Sequence, residues 1–139
     1  NLDHTCFDQV HWVAPDEAFG STRRLHRQHG LYCGPTSGAA FMVAEWLRAQ
    51  RDDGRTIVFI APDEGHRYAD TVYDDAWLRG QGYAGADAAP VRAVSPNAAS
   101  GPWAYVEWGR RTFEQASGRP RPAGSALEQI RDVRPAPVA

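Results

Sequence analysis

Apolar and polar positions switch between a strand-like and a helix-like period along the first 83 residues. In DQVHWVA (8–14), Val10 and Trp12 fall on one face and Gln9, His11 and Val13 on the other, the two-residue period of a strand. The next block, PDEAFGSTRRLHRQHG, predicts a helix over 15–29. Pro15 suits the first helical position, Asp16 and Glu17 suit the positive end of the dipole, and Gly30 suits the residue past the last turn. Ala18, Phe19, Thr22, Leu25 and His29 form its broad packing face, while Gly20 costs about 1 kcal/mol against alanine. LYC (31–33) predicts a short strand and GPTSG the turn after it. A second helix is expected over 37–53, stopped by Gly54. Its first half, GAAFMVA, is apolar all round and predicts deep burial, whereas EWLRAQRDD is amphipathic. RTIVFIAP (55–62) is a continuous apolar run, the pattern of a strand covered by helices on both faces. One or two short helices follow over 67–83, with Tyr73, Trp77 and Leu78 as packing residues.

Strand, helix, strand, helix, strand, helix is the order of an α/β fold. It predicts a three-layer sandwich with a mostly parallel sheet. Three strands are few for an independent parallel sheet, so further strands are expected from other polypeptide. Beyond Tyr83 the pattern changes. Residues 84–102 are rich in Ala, Pro and Gly without an apolar period. The chain therefore divides into an α/β part, 1–83, and an extension, 84–139, read as an irregular arm. A short helix is expected at 102–115 with Trp103, Val106 and Phe113 as anchors, and a further helical turn or two in ALEQIRDV (126–133).

Composition adds limits. The 139 residues suit one domain, and a net charge of −2 gives no electrostatic case for nucleic acid. No apolar run approaches the ~18 residues needed to cross a bilayer and no secretory leader is visible, so no membrane association is expected and a cytoplasmic location is. Cys6 and Cys33 read as free thiols. All 15 basic residues are arginine, so this chain alone cannot supply a lysine amine for a Schiff base. It begins with Asn1, which is expected if it is a piece of something longer.

The candidate chemistry gathers at strand ends. Ligands in open α/β sheets sit beyond the carboxyl ends of strands, where GPTSG and PDEG both lie. Gly34 and Gly38 permit close backbone approach, Thr36 and Ser37 bring hydroxyls, and the following helix points free N–H groups at the same place. An anion or polar acceptor fits such a place; so does plain turn geometry with capping. A phosphate loop of the lysine-containing type is excluded, and the Gly-x-Ser-x-Gly elbow is not met, since threonine holds the central place. Cys33 as a nucleophile competes with the ordinary buried thiol. His4, Cys6 and His11, or His26 and His29, lack metal-ligand spacing, so no metal is expected. Asp63, Glu64 and His66 form either an acid/base cluster or, through Asp63, a helix cap.

Together these segments resemble a known family. NLD…FDQVHWV…DEA…STRRLHRQHGLYCGPTSGAA, followed by GRTIVFIAPDEGHRYADTVYDDAWL, is similar to the C-terminal part of cysteine synthase and cystathionine β-synthase, pyridoxal-phosphate enzymes of fold type II. The resemblance covers about residues 1–78. It implies that the Thr36 hydroxyl meets the pyridine nitrogen of pyridoxal 5′-phosphate, with Gly34, Ser37 and Gly38 around it and Asp63 near the same edge. The cofactor phosphate would go to a loop upstream, which revises the anion expectation to a ring nitrogen. Threonine stands where serine is common and Pro35 where a small or aliphatic residue is. The Schiff-base lysine, the asparagine beside the cofactor O3′, and the phosphate and substrate-carboxylate loops of the family are absent, so no catalytic residue is expected in this chain. The resemblance thus implies a C-terminal fragment, inactive alone, of a lyase or transferase. The intact enzyme would be a homodimer catalysing β-replacement or β-elimination on an amino-acid substrate, serine or O-activated serine. Its first partner would be the N-terminal half of the same enzyme. A non-catalytic binding or regulatory module derived from the family is the alternative.

Overall fold

The computed structural model describes residues 3–85 and 89–120. The ALEQIRDV helix expected at 126–133 lies outside them. The described residues form an α/β arrangement of three strands and four α-helices, with short 3-10 turns at His4–Cys6, Gly65–Tyr68 and Pro96–Ala98.

Strand β1, Gln9–Val13, and helix α1, Pro15–His29, form as the pattern predicts. Gly30 closes α1 in the left-handed conformation at φ 69°, its N–H donating to the His26 carbonyl at 2.9 Å. The glycine inside α1 has a use. The turn at 84–85 lies against Gly20, and its two N–H groups donate to the Asp16 carboxylate at 2.9 and 2.6 Å. Helix α2 runs Pro35–Ala49, starting two residues earlier than expected because Pro35 takes the first helical position after Gly34. It ends before the polar QRDD stretch.

Helices α1 and α2 pack against each other, and their crossing is closest at Gly38. A Cβ there would run into Thr22 and the Ala18 carbonyl. Thr22 makes room by donating its hydroxyl back to the Ala18 oxygen at 2.7 Å. Leu25, Phe41 and Met42 fill the space between the helices, and Val72 and Leu78 are buried from the segment that follows. The deep burial expected for GAAFMVA holds on one side only. Ala39, Ala40, Val43 and Ala44 are half-buried and border a groove with residues 57–60.

The sheet differs from the expectation. Its order is β1–β3–β2, with β2 at Val91–Arg92 and β3 at Trp103–Glu107. β3 runs antiparallel to β1, pairing Gln9 with Glu107 through Val13 with Trp103, and parallel to β2. The sheet is small and mixed rather than mostly parallel. Segment 84–139 supplies β2 and β3, so it is not an irregular arm throughout. The helix expected at 102–115 is a strand at 103–107 followed by α4, Phe113–Ser117. The anchors were legible but the period was not. Trp103 and Val106 are both buried, as a helical face would bury them. Here they lie on opposite faces of a strand that is central in the sheet. Positive φ at Gly109 and Arg110 ends the strand, and a Thr112–Gln115 capping box starts α4.

The expected LYC strand reduces to one bridge, Cys33 to Glu64. RTIVFIAP forms no ladder: Val58 and Ile60 are 85% and 77% exposed, while Ile57 and Phe59 are half-buried, Phe59 against Phe41 at 5.8 Å. A strand needs a neighbour, and among the described residues none stands beside this run.

An aromatic cluster joins the sheet to α2. His11 stacks on its cross-strand partner Tyr105 with centroids 5.4 Å apart, and Trp46 of α2 packs on Tyr105 at 5.0 Å. Trp103 donates its indole N–H to His11 Nδ1 at 3.1 Å. His11 Nε2 lies 3.3 Å from the Gln9 amide oxygen, an arrangement that suits the neutral ring protonated at Nε2. Burial holds the His11 pKa below its usual value, against an opposing pull from Glu107.

Candidate functional site at the start of helix α2

Two loops meet at the start of α2. The first carries Gly34, Thr36, Ser37 and Gly38; the second carries Asp63. Their backbones are tied by Gly34 N–H to Asp63 O at 3.1 Å and Gly65 N–H to Tyr32 O at 2.9 Å. Tyr73 clamps Cys33, just before the turn. Its hydroxyl donates to Cys33 O at 2.7 Å and accepts from Cys33 N–H at 3.3 Å. Burial, the largest influence, raises the Tyr73 pKa, so the phenol stays a donor.

Side-chain contacts then order the edge. The Asp63 carboxylate lies against Gly34, where a Cβ would displace it. Its Oδ2 accepts from the Tyr68 hydroxyl at 2.5 Å and its Oδ1 faces the Thr36 hydroxyl at 3.4 Å. The hydrogen bond to Asp63 raises the Tyr68 pKa, because ionised phenolate could no longer donate. The Asp63 carboxylate therefore occupies the positive end of α2. A further anion would meet it at close range, so the place suits a neutral acceptor better.

Thr36 is exposed, and 3.4 Å is long for a hydroxyl hydrogen bond, so its proton remains free to turn to another acceptor. Ser37 behind it is fully buried, and its Oγ has no hydrogen-bond partner among the described residues. Gly38 faces α1 and serves the helix crossing. Thr36, Gly34 and Asp63 thus stand together, with Ser37 beneath and Gly38 turned to the other helix.

The acid/base alternative for Asp63, Glu64 and His66 separates in space. Asp63 turns to Thr36 and Tyr68, while His66 Nε2 meets Glu64 Oε2 at 3.2 Å out in solvent. Nor does Asp63 cap the Gly65–Tyr68 turn, whose cap position is Glu64. Cys33 is buried and Cys6 exposed, both as free thiols. Among the described residues, no group of three or more His, Cys, Asp or Glu is placed to hold a metal ion, and no helix is long and apolar enough to cross a membrane. Sequence reasoning reads Tyr68 as structural rather than catalytic and Tyr73 as a packing residue, and it does not foresee their hydrogen bonds to Asp63 and Cys33. Their signal was weak: Tyr68 follows Asp63 by five residues, and Tyr73 read only as packing.

No protein-family profile matches the chain. A stretch of 71 residues is 41% identical to N-(2-amino-2-carboxyethyl)-L-glutamate synthase of Ralstonia nicotianae. That stretch is 51% of this chain and 21% of the synthase, so the chain corresponds to about a fifth of the length of this curated relative. Half of the chain is thus similar to part of an enzyme of amino-acid chemistry.

Proposed function

We propose that this chain is the C-terminal part of a fold type II pyridoxal-phosphate enzyme that exchanges or eliminates the β-substituent of serine or an O-activated serine. The observation that carries the proposal is the exposed Thr36 hydroxyl at the start of α2, set beside a carboxylate that is already engaged by Tyr68. The resemblance of the GPTSG and PDEGHRY motifs and the similarity to the Ralstonia synthase support it. The name of that synthase describes an alanine unit joined through its β-carbon to the nitrogen of glutamate. A β-replacement would make such a bond.

The residues present fit the edge of the cofactor ring. Thr36 can donate to an unprotonated pyridine nitrogen, and a neutral hydroxyl does not force that nitrogen to take a proton as a carboxylate would. Asp63, held by Tyr68, lies beside the Thr36 hydroxyl and fills the cationic end of α2. The glycine at position 34 lets the two loops close on each other. When bound, the cofactor supplies an electron sink for negative charge at the substrate α-carbon. The lysine that anchors the cofactor, its phosphate site and the substrate-carboxylate loop would come from the N-terminal half. The exposed run 57–60 would then gain neighbouring strands, completing a three-layer sandwich with a mostly parallel sheet, in a cytoplasmic homodimer.

Reconstitution tests this. Mixed with the lysine-bearing half, the chain should yield a complex that binds pyridoxal phosphate and turns over. Thr36→Ala should alter the absorbance and fluorescence of the bound cofactor, and Thr36→Ser should restore them. An unaltered spectrum and unaltered turnover in Thr36→Ala would remove Thr36 from the site. A non-catalytic module derived from the family is the second possibility. It draws on β3, which pairs with β1 from beyond the region of resemblance and gives the chain a sheet of its own. It predicts a chain that folds by itself and does not combine with the other half.

A further inference from the structure

A cleft of about 350 Å³ lies between α1 and α3, Asp75–Gly80, and is bordered by the turn at 83–85. It shares no residue with the Thr36–Asp63 edge. Arg23, Arg24 and Arg27 reach it from α1 and Arg79 from α3. On α1 the spacings of three and four put these side chains on one face. Arg23 is hydrogen-bonded to Asp75, the carboxylate in the lining, and Arg24 pairs with Glu45 at 2.7 Å. Arg27 and Arg79 are exposed and make no hydrogen bond or ion pair among the described residues. Both still act on Asp75 at longer range: its pKa is lowered first by the Arg23 hydrogen bond and charge, then by Arg79 and Arg27.

We propose that this cleft binds a small polyanion bearing phosphate or carboxylate groups. Four guanidinium groups line it; Asp75 and Glu45 pair with two of them, which leaves Arg27 and Arg79 facing one cleft with no acidic partner of their own among the described residues. Guanidinium forks match the planar or tetrahedral oxygens of both groups. The cleft has the volume of a small-ligand site. One wall is fixed: Tyr83 packs on Phe19 at 5.0 Å and on Trp77 at 6.1 Å. The N–H groups of residues 84 and 85 are spent on Asp16, so the guanidinium groups must supply recognition. Because Arg27 and Arg79 are exposed, binding weakens as salt rises.

Calorimetric titration of the full chain at low ionic strength, with pyrophosphate and separately with citrate, tests the site. Saturable binding of either probe at one site supports it, and the tighter probe assigns phosphate or polycarboxylate as the ligand chemistry. The double variant Arg27→Gln/Arg79→Gln should weaken binding about tenfold, the loss of two exposed ion pairs of ordinary worth. Arg48→Gln/Arg92→Gln removes the same charge elsewhere and should have little effect. Asp75→Asn should tighten binding by removing the competing carboxylate, with circular dichroism confirming the fold of each variant. No saturable binding at millimolar concentrations of either probe overturns the proposal. So does an equal loss in the two double variants.

Discussion

Replacing Gly38 by alanine sets two effects of opposite sign against each other. In an exposed helix, alanine is better than glycine by about 1 kcal/mol. At position 38 the added Cβ would overlap the Thr22 hydroxyl, the Thr22 backbone nitrogen and the Ala18 carbonyl oxygen. Two of those three atoms are backbone, so no rotamer change on α1 removes the clash and the helices must part. Overpacking of this kind costs about 1–3 kcal/mol and sometimes more. Since backbone must move, the upper part of that range applies, and the net loss is about 2 kcal/mol after the propensity gain. For a chain of this size that lowers Tm by about 5–10 °C. Thermal and urea unfolding followed by circular dichroism would measure it. Adding Thr22→Ala should recover little, because the Ala18 carbonyl and the Thr22 amide remain. A Gly38→Ala protein more stable than the parent would refute the packing derived for this crossing. It would also free Gly38 for a role at the site.

Four further outcomes follow from particular contacts. Tyr68 should ionise above the usual phenol range, and Asp63→Asn should bring it back down, read by ultraviolet titration against a Tyr68→Phe control. The His11 pKa is lowered by burial, so the unfolded chain binds its proton first. Stability from this residue is therefore present above the ordinary histidine value and falls as pH drops through it toward the folded pKa. Trp103→Phe should leave His11 Nδ1 without its donor at a cost of about 1–3 kcal/mol, seen in urea midpoints, and His11 should be followed by NMR. Val58→Asp with Ile60→Asp should leave the isolated chain within about 0.5 kcal/mol of the parent, because both side chains face water. The same pair should abolish assembly with the N-terminal half in a pull-down; unimpaired assembly would exclude 57–60 from the interface.

Helix α1 was legible because punctuation and period agreed: Pro15 opens it, Gly30 closes it and Leu25 faces inward, whereas α2 was legible from its apolar run but not in its start, because Pro35 was read as part of the turn. The run at 55–62 has the composition of a buried strand, but pairing is not a property of one segment, and among the described residues no strand lies beside it. Segment 103–107 misled for the converse reason. Trp103 and Val106 are three apart and both buried, which imitates a helical face, whereas they lie on opposite faces of a central strand that is paired with β1 and β2 along its edges and buried on both faces. At the candidate site, Thr36 and Asp63 were found from strand-end position and resemblance. The hydroxyls of Tyr68 and Tyr73 were not, because their targets depend on how two loops fold across each other.

The central claim is that the Thr36 hydroxyl faces the ring nitrogen of the cofactor in the assembled enzyme. It is tested most directly by the nitrogen-15 chemical shift of pyridoxal phosphate labelled at that nitrogen, in complexes reconstituted with the parent chain, Thr36→Ser and Thr36→Ala. A shift shared by the parent and Thr36→Ser and displaced in Thr36→Ala is the predicted result. One shift common to all three complexes would contradict the claim.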